Sequence, residues 1–101
     1  MERDARQLAL DYLANHQVVT LATSGPQGVW AAAVFYVNEG FDLTFLSAGH
    51  TRHAQNITAV PHVAATIQED DRDWEKIQGM QLEGKVALLT EVARETAVSR
   101  Y

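Results

Sequence analysis

The chain has 101 residues, a formal charge of −5, 47% hydrophobic and 21% charged residues, and no cysteine. That describes one globular domain with room for a single modest core, and it excludes disulfides, thiolate zinc sites and cysteine nucleophiles. The acidic balance argues against nucleic-acid binding, which needs many Lys and Arg to neutralise phosphates.

The opening segment "MERDARQ" carries both signs of charge and no apolar signal stretch follows it, so a cytoplasmic location is expected. Ala5, Leu8, Ala9, Tyr12 and Leu13 recur at helical spacing and predict an amphipathic helix over 3–15. "QVVTLAT" (17–23) is short and β-branched, and "SGPQG" after it is a turn by composition. "VWAAAVFYV" (29–37) predicts a second strand; at nine residues it is also the longest apolar run, far below the roughly 20 that span a bilayer. "NEG" marks a hairpin into a third strand, "FDLTFLS".

A short helix is expected from about Thr51, ended ahead of Pro61 because proline disfavours helix in the residue before it. "HVAATIQ" (62–68) is a fourth strand, and "EDDRDWEK" a polar loop. Met80, Leu82, Val86 and Leu88 fall on alternate positions and predict a fifth strand over 77–89. Thirteen residues is long for one strand, and Gly79 and Gly84 stand where a bend or bulge would curl it around a small barrel. Residues 91–101 read as a helix. The order α-β-β-β-α-β-β-α predicts a mainly β, antiparallel barrel with peripheral helices, one domain over 1–101.

Two stretches stand out chemically. Ala31, Ala32 and Ala33 sit in a strand although alanine is depleted there. They are either a close-packed structural surface or a shelf for a planar ligand flanked by Trp30, Phe35 and Tyr36. The second stretch is "LSAGHTRHAQN", which gathers His50, Arg52 and His53 at a helix start, where cations cost about 0.3–1 kcal/mol each. No Asp or Glu occurs from Leu43 to Gln68. Thr51 is a good N-cap candidate, and with Ser47 and Gly49 it forms a small-residue approach to a helix N-terminus, the geometry that holds phosphates. Arg52 would add planar, charge-assisted hydrogen bonds. The alternative is a solvated loop with scattered bases.

Metal is not expected: His50 and His53 stand three apart with no nearby carboxylate, and His16 and His62 are isolated. No serine has a nucleophile-elbow pattern, and no Gly-rich dinucleotide fingerprint or P-loop occurs. A chain without an evident acid or nucleophile fits chemistry that belongs to a cofactor.

"VVTLAT", "GVWAAAVFYV", "LTFLSAGHTRHAQNI", "VPHVAATI" and "IQGMQLEGKVALL", in this order over about residues 8–90, resemble the pyridoxamine 5'-phosphate oxidase-like, FMN-binding split-barrel family. Within it they are similar to a small bacterial subgroup in which a Thr-Arg-His-Ala run follows strand three. The resemblance implies an antiparallel split β-barrel and an FMN lying between two subunits of a homodimer. Its phosphate would be held by Ser47, Thr51, Arg52 and His53, and its ring would lie against Ala33, Val34 and Phe35, with Leu46 and Gln78 close by.

Where the oxidase itself has an Arg and a Lys bounding the strand-two motif, this chain has Ala32 and Val37. The family's pyridoxal phosphate grip lies further C-terminal, and the domain is expected to be incomplete at that end. Vitamin B6 oxidation is therefore not implied. The implied function is an FMN-dependent oxidoreductase acting on a small-molecule substrate or electron donor, with no nucleic-acid or membrane partner. The alternatives are a non-catalytic flavin-binding protein for storage or sensing, and a cofactor-free interaction module.

Overall fold

Asp4 sets the start of the first helix. Its carboxylate accepts the Gln7 N–H at 2.8 Å, satisfying one of the donors that a helix start leaves open. Helix α1 then runs from Ala5 to Ala14. Leu13 is fully buried while Leu8 is half-exposed, so only the C-terminal end of its apolar stripe is covered. The computed structural model describes residues 4–70, 72–73, 78–89 and 91–100.

The chain continues through β1 (Val18–Gly25), β2 (Gly28–Phe35), β3 (Val37–Glu39), β4 (Asp42–Thr44), α2 (Arg52–Ala59), β5 (His62–Gln68), β6 (Gly79–Lys85) and α3 (Glu91–Arg100). Four strands form one antiparallel sheet in the order β2-β1-β5-β6, and β3 with β4 forms a separate two-stranded ribbon. The mainly β, antiparallel expectation holds. Among the described residues the sheet stays open, since four strands are too few to tilt and close upon themselves.

Pro26 and Gln27 connect β1 to β2, and Gly28 takes φ +104°, a conformation that favours glycine. The pairing register then fixes both faces of the sheet. Val19, Leu21, Val34, Val63, Ala65 and Ile67 point to one side and form the core with Leu13 and Tyr36. On the other side lie Val18, Ala22, Val29, Ala31, Ala33, Phe35, His62 and Ala64, all exposed.

Three expectations need correction. The second strand ends at Phe35 rather than 37. Tyr36 is buried, its N–H donates to Gln17 O at 2.9 Å and its hydroxyl donates to Leu13 O at 2.7 Å. These ties anchor Tyr36 beside the end of α1, and Val37 leaves the sheet to pair with Thr44 instead. The third strand shrinks accordingly, from "FDLTFLS" to Asp42–Thr44.

The fifth predicted strand, over 77–89, is only Gly79–Lys85, and Ile77 lies outside the described residues. Lys85 pairs with His62, so the next residue, Val86, faces Pro61, which has no N–H to continue the ladder. Val86 N–H still donates to Pro61 O at 2.9 Å. Gly79 and Gly84 both sit in unbroken register opposite Gln68 and Val63, with no bulge at either. Residues 71 and 74–76 of the predicted polar loop, and Tyr101 of the last predicted helix, also lie outside the described residues.

Candidate functional site

Thr51 builds the start of α2. It is the N-cap, in extended conformation, and its Oγ1 accepts the Ala54 N–H at 3.3 Å while donating to Ala48 O at 2.8 Å. The loop before the helix is thereby folded onto the cap. Ser47 Oγ shares a hydrogen bond with His53 Nε2, and both approach Thr51 Oγ1 at 3.4 Å. Ser47, Thr51 and His53 therefore converge on one point beside the first helical turn. The N–H groups of Arg52 and His53 occupy positions with no intrahelical acceptor, and that turn contains no acidic residue.

Arg52 is the first residue of this helix. Its guanidinium carbon lies 4.3 Å from the ring centroid of Trp30, and Nη2 donates to Gln27 O at 3.2 Å. A cation–π contact is worth about 0.5–1 kcal/mol at an exposed site, enough to offset a cation's cost at a helix start, about 0.3–1 kcal/mol. The Nε is buried and has no hydrogen-bond partner. The guanidinium is thus held from one side while part of its donor capacity stays unused.

Behind Arg52, Asn56 fixes the helix to the sheet. Its Nδ2 donates to Thr23 Oγ1 at 3.1 Å, and Thr23 Oγ1 donates to Trp30 O at 3.4 Å. Gly25 makes room for this tie: a Cβ built there would stand 2.2 Å from Asn56 Oδ1.

Of the nine residues predicted from sequence, the structure brings Ser47, Thr51 and His53 together at the cap, with Arg52 next to them on the first turn and its guanidinium over Trp30. Leu46 is exposed in the same loop. Ala33 and Phe35 lie on the open face of the sheet, whereas Val34 between them faces the core. Gln78 stands apart, at the β6 edge. Its carbonyl accepts from Tyr12 Oη at 3.3 Å and from Glu69 N at 3.4 Å. Three strand spacings, about 14 Å, separate β6 from β2. Burial first, and the Glu69 carboxylate second, push the Tyr12 hydroxyl above its ordinary pKa, so it remains a neutral donor to Gln78.

Sequence reasoning missed the Gln27 carbonyl and misplaced Trp30, read as a flank of the alanine shelf. Strand alternation could have placed it, because Trp30, Ala32 and Val34 must share a face opposite Ala31, Ala33 and Phe35. His50 is exposed in the turn, its carbonyl accepting from Gln55 Nε2 at 3.2 Å. His16 stacks on Tyr12, and His62 lies 3.6 Å from Glu83. Among the described residues no three His, Cys, Asp or Glu are grouped to hold a metal, and no helix is long and apolar enough to cross a membrane.

The sheet, ribbon and peripheral helices define a small, mainly antiparallel β protein of the split-barrel kind. The chain belongs to the pyridoxamine 5'-phosphate oxidase family, whose model, described as "Pyridoxamine 5'-phosphate oxidase", matches residues 6–101. It is 35% identical over 97 residues to a UPF0306 protein of Photorhabdus laumondii, an alignment covering 94% of this chain and 68% of that one. With a UPF0306 protein of Yersinia pseudotuberculosis the identity is 33% over 92 residues, covering 89% and 63%. The chain thus spans about two thirds of the length of these relatives.

Two solved structures share the fold. The heme storage protein HutZ of Vibrio cholerae superposes with a TM-score of 0.79 at 15% identity, over 98% of this chain and 73% of that one. A heme binding protein of Mycobacterium smegmatis gives 0.86 at 22% identity, over 98% and 42%.

Proposed function

We propose that the chain binds flavin mononucleotide, with the phosphate at the start of α2, and acts as a flavin-dependent oxidoreductase on a small molecule. The observation that carries this reading is Arg52, held against Trp30 with a buried Nε that has no partner. An arriving oxyanion pairs with the guanidinium N–H groups that the Gln27 carbonyl leaves over, and it also relieves the conflict between cation and helix dipole. Ser47 and His53 meet at the Thr51 cap of the same helix start, beside the first-turn N–H groups. The residues fit a phosphate.

FMN, when bound, supplies the hydride and electron chemistry; the chain's own residues hold it, orient it and keep water from it. Ala33 and Phe35 offer a flat surface to the ring on the face of the sheet opposite Trp30 and α2. A flavin held there reaches Arg52 around the β2 edge of the sheet, where Val34 contributes only backbone. Gln78 and the start of α2 lie toward opposite edges of the sheet. In a homodimer with the cofactor between subunits, a second copy of the chain would supply Gln78 to the flavin held at the start of α2.

A second reading is a non-catalytic carrier. Its support is that two of the fold neighbours are described as proteins that store or bind heme, and that His62 stands on the open face beside Ala22 and Ala64. Titration of the purified chain with FMN, riboflavin and hemin separates the readings. FMN bound more tightly than riboflavin, and reduced by NADH or NADPH with turnover on an acceptor, supports the oxidoreductase. Equal affinity for the two flavins sinks the phosphate site. A Soret shift with hemin and no flavin binding favours the carrier.

A further inference from the structure

We propose that Trp30 is a positioning residue: its indole fixes the Arg52 guanidinium at the start of α2 and so sets the preference for a phosphorylated over an unphosphorylated flavin. The inference rests on the phosphate reading given above. Its own basis is a set of contacts that hold ring and guanidinium in one relation. Arg52 lies over the Trp30 ring at 4.3 Å, and its Nη2 reaches Gln27 O, in the turn that leads into β2, at 3.2 Å. The Trp30 carbonyl accepts from Thr23 Oγ1, which accepts in turn from Asn56 Nδ2, one helical turn beyond Arg52. The strand that carries the ring and the helix that carries the cation are therefore tied through a buried relay as well as through the stacked pair.

A long, flexible side chain held in this way has given up its rotamer freedom before the ligand arrives, which raises affinity without adding a contact. A lysine would not reproduce it, because a planar guanidinium both stacks and donates from its edge. Trp30 faces the core side of β2, opposite Ala33 and Phe35. Its effect on flavin binding therefore runs through Arg52 and not through the flavin ring.

The test is a double-mutant cycle read by flavin fluorescence quenching, with FMN and riboflavin as probes. Trp30→Leu lowers FMN affinity about two- to thirtyfold, the range of a cation–π contact, and leaves riboflavin affinity unchanged. In an Arg52→Ala background the same substitution has no further effect on FMN. Trp30→Phe, which keeps an aromatic face, retains most of the preference. Trp30 is 44% exposed, so Trp30→Gln serves as the second variant should the leucine form not fold, with the same outcome expected.

An equal loss for both flavins overturns the proposal, as does an undiminished loss in the Arg52→Ala background, since either reports a structural role only. If Arg52→Ala weakens FMN but neither Trp30→Leu nor Trp30→Gln does, the positioning role falls and the phosphate site stands. If Arg52→Ala itself leaves FMN affinity unchanged, the phosphate reading falls and this inference with it.

Discussion

Asn56 Nδ2 donates to Thr23 Oγ1 over 3.1 Å, joining two residues 33 apart in sequence that are only 4% and 3% exposed. A buried polar pair of this kind contributes chiefly through what its loss leaves behind, an unsatisfied group costing about 1–3 kcal/mol. Asn56→Ala should destabilise the protein by that amount, lowering Tm by roughly 4–8 °C for each kcal/mol in a domain of this size. Thermal melts followed by circular dichroism measure it. An unchanged Tm would show that water replaces the tie at no cost.

Gly25→Ala should be destabilising through the same contact. The new Cβ would meet Asn56 Oδ1 at 2.2 Å, and moving that amide aside breaks its bond to Thr23. Overpacking of this kind costs about 1–3 kcal/mol. The cost should shrink in an Asn56→Ala background, so denaturant titrations of the two single variants and the double variant should be non-additive. Additive effects would place the strain elsewhere.

Stability should fall on the alkaline side through Tyr36. Its hydroxyl donates to Leu13 O from a buried position, and burial first, then the neighbouring Tyr12, raises its pKa in the folded chain above the ordinary value of about 10. The folded state then binds the proton more tightly than the unfolded state does. The contribution is complete below about pH 10 and is lost as pH rises from there through the folded pKa. Tyr36→Phe should lower stability at neutral pH by about 0.5–1.5 kcal/mol, the worth of a hydrogen bond, and flatten the decline above pH 10. Tyr12, shifted in the same direction, keeps part of the slope. Urea titrations between neutral and alkaline pH read both effects, and an unaltered alkaline slope in the variant would exclude Tyr36 as its source.

Arg52→Ala should leave the apoprotein close to wild-type stability. The substitution loses the Trp30 contact and the bond to Gln27 O, but it removes a cation from a helix start and a buried donor without a partner. Each of these four terms is about 0.3–3 kcal/mol, and the two pairs oppose each other. Melts with and without excess FMN read the rest, since a bound ligand raises Tm according to its affinity. The wild type should gain substantially and the variant little. Unfolding of the apo variant would mean that Arg52 chiefly anchors the loop.

The open sheet face should lie in a homodimer. Val29 and Phe35 are 79% and 64% exposed among the small residues of that face, and contiguous apolar surface of this kind marks an interaction site. Sedimentation equilibrium at micromolar concentration should show two copies; monomer alone would count against both the dimer and a flavin shared between subunits.

The fold was readable in sequence wherever a residue's partner is local. Thr51 announced its helix because a hydroxyl at that position caps the turn just after it, and Pro61 announced the helix's end for an equally local reason. The limits of β2 and β6 were not readable. Phe35 ends a strand because Tyr36 is tied to Leu13 and Gln17, and Lys85 ends another because Val86 meets Pro61. No window along the sequence contains those neighbours. The candidate site divided in the same way. Ser47, Thr51, Arg52 and His53 lie within seven residues of chain and meet at a helix start, whereas Gln27 and Trp30 reach Arg52 only once β1 and β2 are packed against α2.

Thr51 carries one more consequence, in the counting of protons. Its single hydroxyl hydrogen goes to Ala48 O, so it can offer an incoming oxygen no donor of its own. The side-chain donors next to the helix then come from Arg52, Ser47 and His53, and Ser47 is engaged with His53 Nε2. When that nitrogen lacks a hydrogen, the serine hydroxyl donates its hydrogen bond to the imidazole and has none for a ligand. When the nitrogen carries one, the imidazole donates instead and the serine hydroxyl turns free. Which of the two supplies the hydrogen in the Ser47–His53 bond therefore decides whether the Ser47 hydroxyl is left to join Arg52 on a ligand oxygen.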